Sequence, residues 1–227
     1  MANFDFRALW EAYNAERDAG VVEFHAPRGN SKLGQIPAWN MLPGVTCSAG
    51  ACEYCMKDGC YTVKNCFRAG YSLKHNNVLK SWADNTVMAI KHPRLLEQKL
   101  DEWLTNHQPR FFRIHSAGDF FSVPYARMWV RLAKKHPDTK FLAFTKQWNV
   151  VRAVPFHKVK NLELVLSGWT GVEIPEDLRQ HYRCAWCEDG VENRIPKNAM
   201  ECPGDCTHCG LCWHLSSLGR DTVFHKH

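Results

Sequence analysis

The sequence predicts an α/β fold built from parallel β/α units, and the order of its apolar segments carries this prediction. Three short apolar or β-branched runs have the length of buried strands, at residues 111–115, 140–144 and 162–166. A helical pattern at residues 125–135 separates the first two runs, and a shorter connection at residues 148–154 precedes the third. Alternation of strands and helices is typical of parallel sheets. We therefore expect one α/β domain over residues 1–227.

The elements before the first strand are predicted to be mainly helical. Residues 4–19 carry apolar side chains at three-and-four spacing, which predicts an amphipathic helix, and residues 21–25 are expected to form a short strand. A turn-rich arm follows at residues 30–44 and leads to the first cysteine. The pattern over residues 71–108 predicts two helices, with Pro93 in the first turn of the second.

The carboxyl part of the chain is predicted to be irregular. Beyond Gly168, cysteines stand among Pro, Gly, Asp and Asn residues, and the apolar content is too low for this part to fold on itself. We expect residues 180–227 to form a cysteine-rich segment that packs on the α/β domain, near the upstream cysteines.

Composition and charge limit the cellular compartments and the classes of partner that fit this chain. The chain of 227 residues has no basic start followed by an apolar run, and no segment approaches the roughly 18 apolar residues of a membrane helix. We therefore expect a cytoplasmic protein without membrane contact, in which eleven cysteines bind metal and do not form disulfides. The net charge of +6 is compatible with nucleic acid or a phosphorylated small molecule as partner, and equally with a solvated basic surface.

The densest chemical signal is a group of four cysteines within eleven residues: Cys202, Cys206, Cys209 and Cys212. Thiols this close along the chain are poorly placed for disulfides with one another but can surround one metal centre. A second group lies upstream, at Cys47, Cys52, Cys55 and Cys60. We expect at least one [4Fe–4S] cluster on the carboxyl group, with the upstream group completing that site or holding a second cluster.

Zinc is the alternative metal. Cys184-x2-Cys187 and Cys206-x2-Cys209 together match a pattern of two zinc knuckles, which would give a zinc-ribbon-type nucleic-acid-binding protein. This arrangement leaves Cys202 and Cys212 without a role. The upstream cysteines, spaced four, two and four, match no pair of zinc knuckles.

A polar motif follows the first predicted strand. His115 and Asp119 lie where the carboxyl end of a parallel strand opens on the functional crevice, so they are candidate catalytic residues. Gly118 is expected to admit a bound group close to the backbone, and Lys146 lies at the equivalent place one strand later and could bind an anion. The alternatives are that His115 is a core histidine, that Asp119 or Ser122 caps the next helix, and that Lys146 is solvated.

Several of these motifs together resemble the bacteriophage family called gene product 88. The residues that carry the resemblance are Asn30-Ser-Lys-Leu-Gly, Leu42-Pro-Gly-Val-Thr-Cys, Arg113-Ile-His-Ser-Ala-Gly-Asp-Phe-Phe, Phe144-Thr-Lys, the carboxyl cysteine group with Trp213, and Phe224-His225. The resemblance implies a phage-encoded protein that acts in the host cytoplasm, where a host or phage protein is a further candidate partner. It implies no particular reaction.

The chain is also similar to radical S-adenosylmethionine enzymes, whose fold is a partial barrel of parallel strands. Cys202-x3-Cys206-x2-Cys209 has the spacing of their cluster motif, although that motif normally follows the first strand. This similarity implies a partial barrel, and S-adenosylmethionine as a second cofactor of an enzyme acting on a nucleotide or another anionic substrate. Because each cysteine group supplies four ligands and an enzyme needs an open iron, we favour a cluster-binding protein over the enzyme.

Overall fold

Seven strands form one parallel sheet in the computed structural model, which describes residues 11, 23–47, 77–168, 172–188 and 194–225. The strands are β1 (Ala38–Trp39), β2 (Phe111–Ile114), β3 (Lys140–Thr145), β4 (Leu162–Gly168), β5 (Arg183–Glu188), β6 (Met200–Glu201) and β7 (Thr222–His225). Their order is β1-β2-β3-β4-β5-β7-β6, and every neighbouring pair is parallel. The sheet is open, because β1 and β6 are its two edges and do not pair with each other.

Helices connect the strands, as parallel pairing requires. They are α1 (Asn77–Lys91), α2 (Pro93–His107), α3 (Val123–Lys135), α4 (Trp148–Ala153), α5 (Glu176–Arg179), α6 (Cys206–Cys209) and α7 (Leu215–Leu218), with 3-10 turns at Phe156–Lys158 and Leu211–His214. No helix within the described ranges has the length and apolarity needed to cross a membrane.

The predicted α/β class is confirmed by these elements. The three apolar runs form β2, β3 and β4, and the helical patterns form α1, α2 and α3. Pro93 begins α2, as expected of a residue whose missing N–H would have no partner in the first helical turn. Of the predicted helix at residues 4–19, the structure describes Glu11, which is helical. The start of the strand predicted at residues 21–25 lies outside the described residues, and residues 23–25 are not in a strand.

Side chains alternate along each strand and give the sheet two different faces. The first face carries Phe112, Ile114, Phe141, Leu164 and Trp186, and packs against α1 to α4. The second face carries Leu142, Val165 and Ala185, and packs against residues of the arm and of the carboxyl segment, which are Leu33, Ile36, Trp213 and Leu215. Long helices therefore cover one face, and the cysteine-bearing segment covers the other.

The carboxyl part is more regular than the sequence predicts, because β5 and β7 are central to the sheet. Asp221, next to β7, accepts hydrogen bonds from Cys184 N at 3.0 Å and Trp186 Nε1 at 2.8 Å. These bonds hold the start of β7 beside β5. The buried carboxylate thus supplies a specific contact that the low apolar content of this part does not reveal.

Candidate metal centre

The cysteine segment, defined here as residues 202–215, is a chain of tight turns. Asp205 begins α6, and its carboxylate accepts hydrogen bonds from Thr207 N and His208 N. Gly210 ends the helix with a φ of 61°, a left-handed conformation that glycine adopts without strain. A 3-10 turn then carries Cys212 and Trp213. These reversals place Cys206, Cys209 and Cys212 on consecutive turns of one compact segment.

Backbone and indole hydrogen bonds fix the cysteine segment on the second face of the sheet. Trp213 is buried and donates from Nε1 to Phe112 O at 3.2 Å, and its ring lies 5.0 Å from that of Phe111. The Cys206 N–H donates to Lys32 O at 3.0 Å, and Thr207 Oγ1 donates to Leu33 O at 3.2 Å. The segment is therefore held by both the sheet and the arm.

The structure brings the four carboxyl cysteines close enough to influence one another's ionisation. Burial raises the pKa of Cys212 to about 12, Arg113 opposes that shift, and the charges of Cys202, Cys206 and Cys209 reinforce it. Burial also raises the pKa of Cys206, which Lys32 and Arg113 lower. Thiols whose negative charges repel one another in a partly buried place are stable as thiolates only if a cation joins them.

Two of the cations on the second face, Arg113 and Lys32, act on the thiols of the cysteine segment. The Arg113 guanidinium lies 3.9 Å from the centre of the Phe144 ring, and its Nε donates to His115 O at 2.9 Å. The Lys32 ammonium lies 4.4 Å from the centre of the Phe224 ring. Burial lowers the pKa of Arg113 to about 10, and the thiolates of the cysteine segment oppose this shift, so Arg113 stays charged at neutral pH.

The thiols are spread more widely than a single zinc ion requires. Four sulfurs around one zinc lie about 3.8 Å apart, which follows from tetrahedral geometry and a Zn–S bond of about 2.3 Å. Among the described residues, the group of three ligand atoms found within 4.8 Å of one another is Glu23, His25 and Asp84, and no cysteine belongs to it. No three of the four thiols of the cysteine segment therefore lie within 4.8 Å of one another.

The second zinc knuckle proposed from the sequence does not form. Cys184 and Cys187 lie three residues apart on β5, so their side chains point to opposite faces of the sheet. Cys184 belongs to the core of the first face. Cys187 is buried and lies beside Phe224 of β7, whose side chain packs on the second face. The two thiols therefore cannot ligate one ion.

One cysteine of the upstream group is within the described residues, and it lies at the carboxyl ends of β2 and β3. Cys47 is half-buried and follows Thr46, whose carbonyl accepts a hydrogen bond from Gln147 Nε2 at 3.3 Å. Cys52, Cys55 and Cys60 lie outside the described residues.

His115 is a buried histidine with one nitrogen bonded and one not. Its Nε2 lies 2.8 Å from the Tyr125 hydroxyl, whereas Nδ1 is buried without a hydrogen-bond partner in the described structure. The backbone has a φ of 62°, uncommon outside glycine. Burial, reinforced by the charge of Arg113, lowers the pKa of His115 to about 3, so the ring is neutral at physiological pH.

Asp119 ties together the carboxyl ends of two strands. Its carboxylate accepts hydrogen bonds from Thr145 Oγ1 at 2.6 Å, Lys146 N at 3.0 Å and its neighbour Phe120 N at 2.7 Å. Burial raises the pKa of Asp119, and these hydrogen bonds oppose the shift. The cap of α3 is Ser122, which accepts from Tyr125 N, so Asp119 joins strands and does not cap the helix.

Gly118 packs against protein on the side where a side chain would point. With a φ of 86°, it approaches the loop before Cys47 so closely that a Cβ would lie 2.7 Å from Thr46 Oγ1 and 3.1 Å from Met41 Cβ. The space expected for a ligand is thus filled by protein. The Asp119 N–H also donates to Thr46 Oγ1 at 3.2 Å. The motif therefore positions the residues that lead to Cys47.

The sequence reasoning missed Arg113 and Lys32 as residues of the site. Arg113 alternates with Phe112 and Ile114 on β2, so a cation on the opposite face could have been deduced from strand periodicity. Lys32 carries no such signal, because its place depends on how the arm folds across the sheet. Lys146, expected to bind an anion, is half-buried and is bonded through its backbone N–H to Asp119.

Comparisons with known proteins point in one direction. The family model described as Gene product 88 matches residues 13–215. Two relatives are the Gene 88 proteins of Mycobacterium phage L5 and Mycobacterium phage D29, each 30% identical over 95 residues, or 42% of this chain and 40% of the relative. The matched segment thus spans two fifths of the length of these curated relatives. No solved structure matches this chain.

Proposed function

This chain belongs to the gene product 88 family, and we propose that it is a phage-encoded protein that binds a [4Fe–4S] cluster. The ligands would be the four thiols of the cysteine segment: Cys202, Cys206, Cys209 and Cys212. The upstream group of Cys47, Cys52, Cys55 and Cys60 would hold a second cluster or complete the first. The proposed place of action is the cytoplasm of the host.

The observation that carries the proposal is the gathering of four thiols beside two cations on one face of the sheet. The donor set suits an iron–sulfur cluster, because soft thiolates are its usual ligands. The spacing also favours a cluster, because the pattern of two zinc knuckles leaves Cys202 and Cys212 without a role. Arg113 and Lys32 also lie where the negative charge of metal-bound thiolates would develop. The residues present therefore fit the cluster.

The chain's own residues define what such a site would do. A cluster supplies one-electron chemistry or structural cross-linking when it is bound. Trp213 and the sheet shield one side of the cysteine segment from water, and four protein ligands leave no iron open to a substrate. We therefore favour an electron-transfer or structural role. A protein partner of the host or phage would then receive the electron or recognise the folded segment.

The second candidate function is a radical S-adenosylmethionine enzyme acting on a nucleotide or another anionic substrate. Two features favour it: parallel strands β1 to β5 stand in chain order, and long helices cover one face only, as in a partial barrel. The candidate catalytic residues His115 and Asp119 lie at strand ends, but their polar atoms are largely bonded to Tyr125 and Thr145. Formation of methionine and 5′-deoxyadenosine by the reduced protein with S-adenosylmethionine would establish this function in place of our proposal.

Metal and sulfide analysis tests the proposal directly. Protein purified without oxygen should be brown, absorb broadly near ~400 nm, and contain about four irons and four sulfides per cluster. Replacement Cys209→Ala should lower iron and sulfide content together. Cys184→Ala is the matched control, because that thiol lies on the opposite face, and it should leave the iron content unchanged. Stoichiometric zinc without sulfide would disprove the proposal and restore the zinc alternative.

A further inference from the structure

Two cations of the second face are held in place by one pair of aromatic rings. Arg113 lies over the Phe144 ring at 3.9 Å, and Lys32 lies over the Phe224 ring at 4.4 Å. The two rings contact each other edge to face, with centroids 5.9 Å apart. Cations over aromatic faces keep favourable electrostatic contact without an anion. The two side chains are therefore positioned together, although they come from different parts of the chain.

Neither cation has a carboxylate partner in the part of the chain that the structure describes. No Asp or Glu oxygen lies within 4.0 Å of the Arg113 or Lys32 nitrogens there, although other arginines and lysines form such pairs. A partly buried charge without a counter-ion is costly. The thiols of Cys206 and Cys212 lie nearby, because both side chains pack in one cluster with Phe144 and Phe224, and the Cys206 N–H donates to Lys32 O at 3.0 Å.

The charge of a bound cluster would match these two cations. A [4Fe–4S] centre with four thiolate ligands carries about two net negative charges when oxidised and about three when reduced. Two fixed positive charges neutralise the oxidised form and lessen the cost of adding the next electron. We propose that Arg113 and Lys32 are the charge-compensating residues of the cluster site and raise its reduction potential. This inference rests on the proposed function, because it presupposes a cluster on the cysteine segment.

Neutral variants of the two cations test the inference through the reduction potential. In Lys32→Met the backbone carbonyl that accepts from Cys206 N is retained, so the fold of the cysteine segment should persist. The equilibrium between reduced and oxidised cluster should shift about tenfold or more toward the oxidised form, a fall in potential of about 59 mV per tenfold for one electron. Arg113→Met should shift it in the same direction.

Charge-conserving and distant variants separate electrostatics from structure. Arg113→Lys keeps the positive charge, so the reduction potential of the cluster should stay near that of the unmodified protein. This variant loses the hydrogen bond from Nε to His115 O, and it therefore separates the effect of the charge from that of the bond. Lys134→Met removes an exposed lysine from α3, on the helical side of the sheet, and should leave the potential unchanged. Potentials would be measured by a spectroscopic redox titration of protein with verified iron and sulfide content.

The outcomes distinguish a failure of this inference from a failure of the proposed cluster-binding function. If the unmodified protein holds iron and sulfide, but Lys32→Met and Arg113→Met titrate at its potential, the inference is wrong and the proposed function stands. The inference is equally wrong if Lys134→Met lowers the potential as much as Lys32→Met. If the unmodified protein holds no iron and sulfide, the proposed function itself fails. Should Arg113→Met not fold, Lys32→Met and Arg113→Lys still decide the question.

Discussion

At the scale of single residues, the polar motif after β2 is a set of buried groups whose charge states the fold determines. The lowered pKa of His115 and the raised pKa of Asp119 both follow from burial, which disfavours the charged form of either group. Their hydrogen bonds run to Tyr125, Thr145 and Lys146, so the motif fastens strand ends to helix and loop. Changes here should therefore affect stability before they affect any chemistry.

Replacement His115→Gln should reduce the decrease in stability that occurs as the pH falls into the mildly acidic range. The pKa of His115 is lowered to about 3 in the folded protein, so the unfolded chain binds the proton more tightly, and falling pH below about 6.5 favours unfolding. Protonation of this one group in the unfolded chain should lower the free energy of unfolding by about 2 kcal/mol between pH 7 and pH 5. Urea denaturation at a series of pH values measures the difference. An identical dependence of stability on pH in the original protein and in His115→Gln would contradict the assignment.

Replacement Asp119→Asn should destabilise the protein most at low pH. The amide cannot accept from Thr145, Phe120 and Lys146 together without turning its own N–H₂ toward a donor, which costs about 1–3 kcal/mol. Because burial raises the pKa of Asp119 in the folded state, the original protein loses stability as pH rises through that pKa, and the amide variant does not. The difference in free energy of unfolding between the original protein and Asp119→Asn should thus shrink as pH rises, as measured by urea denaturation at a series of pH values. A difference that stays constant with pH would contradict the inferred titration of Asp119.

At the scale of elements, the cysteine segment depends on one anchor. Trp213 is the buried aromatic side chain that joins the segment to the sheet, through its ring contact with Phe111 and its hydrogen bond to Phe112 O. Much of the rest of the segment is polar or half-exposed. Its position therefore relies on Trp213, on Leu215 beneath it and on the backbone contacts with the arm.

Replacement Trp213→Ala should detach the cysteine segment from the sheet. Loss of a buried aromatic side chain costs about 3–5 kcal/mol, and here the Phe112 carbonyl also loses its donor. We expect a lower urea midpoint and faster proteolysis within residues 202–215, together with loss of the proposed cluster. Leu218→Ala is the control, because that leucine is 43% exposed and should contribute little. Equal effects of the two changes would argue against a specific anchor.

At the scale of the whole molecule, the position of each described cysteine in the open sheet determines how exposed its thiol is to solvent. Cys184 and Cys187 lie in β5 and are buried, whereas the four thiols of the cysteine segment are partly exposed. Burial also raises the pKa of Cys184 to about 12, with Asp221 reinforcing the shift, which keeps this thiol protonated and unreactive. The sheet thus separates the partly exposed thiols of the cysteine segment from two buried thiols.

Alkylation of metal-free protein should reveal this division. A short pulse of iodoacetamide at neutral pH should label Cys202 and Cys209, whose thiols are partly exposed, well before Cys184 or Cys187. In metal-loaded protein the four thiols of the cysteine segment should be protected as well. Peptide mass spectrometry measures both patterns, and equal labelling of Cys184 and Cys209 in folded protein would contradict the described sheet.

The sequence predicts the middle of this fold well because that part is built from local patterns. The runs that became β2, β3 and β4 are apolar enough to be recognised alone, and Pro93 and Ser122 begin α2 and α3 by local chemistry. In contrast, β5 has the sequence Arg-Cys-Ala-Trp-Cys-Glu, which is equally typical of a metal knuckle. Only its pairing with β4 and β7 decides the conformation, and pairing between distant segments is not visible in a local pattern.

The grouping of the cysteines in the candidate site was predictable from the sequence, and the residues around them were not. Spacing alone identifies Cys202, Cys206, Cys209 and Cys212 as one group. The cations and the anchor depend on which face of the sheet each strand residue occupies, and on the path of the arm that carries Lys32. The partners of His115 and Asp119 are likewise set by tertiary contacts, with Tyr125, Thr145 and Thr46.

The place of β7 in the sheet implies an order of events during translation. β6 pairs with β7 alone, and β7 lies between β6 and β5, so β6 cannot join the sheet before β7 has left the ribosome. The four cysteines lie between β6 and β7 in the chain and therefore emerge first. The cysteine segment therefore leaves the ribosome before the strand on its carboxyl side, and both of its ends are fixed to the sheet only when β7 pairs with β5 and β6.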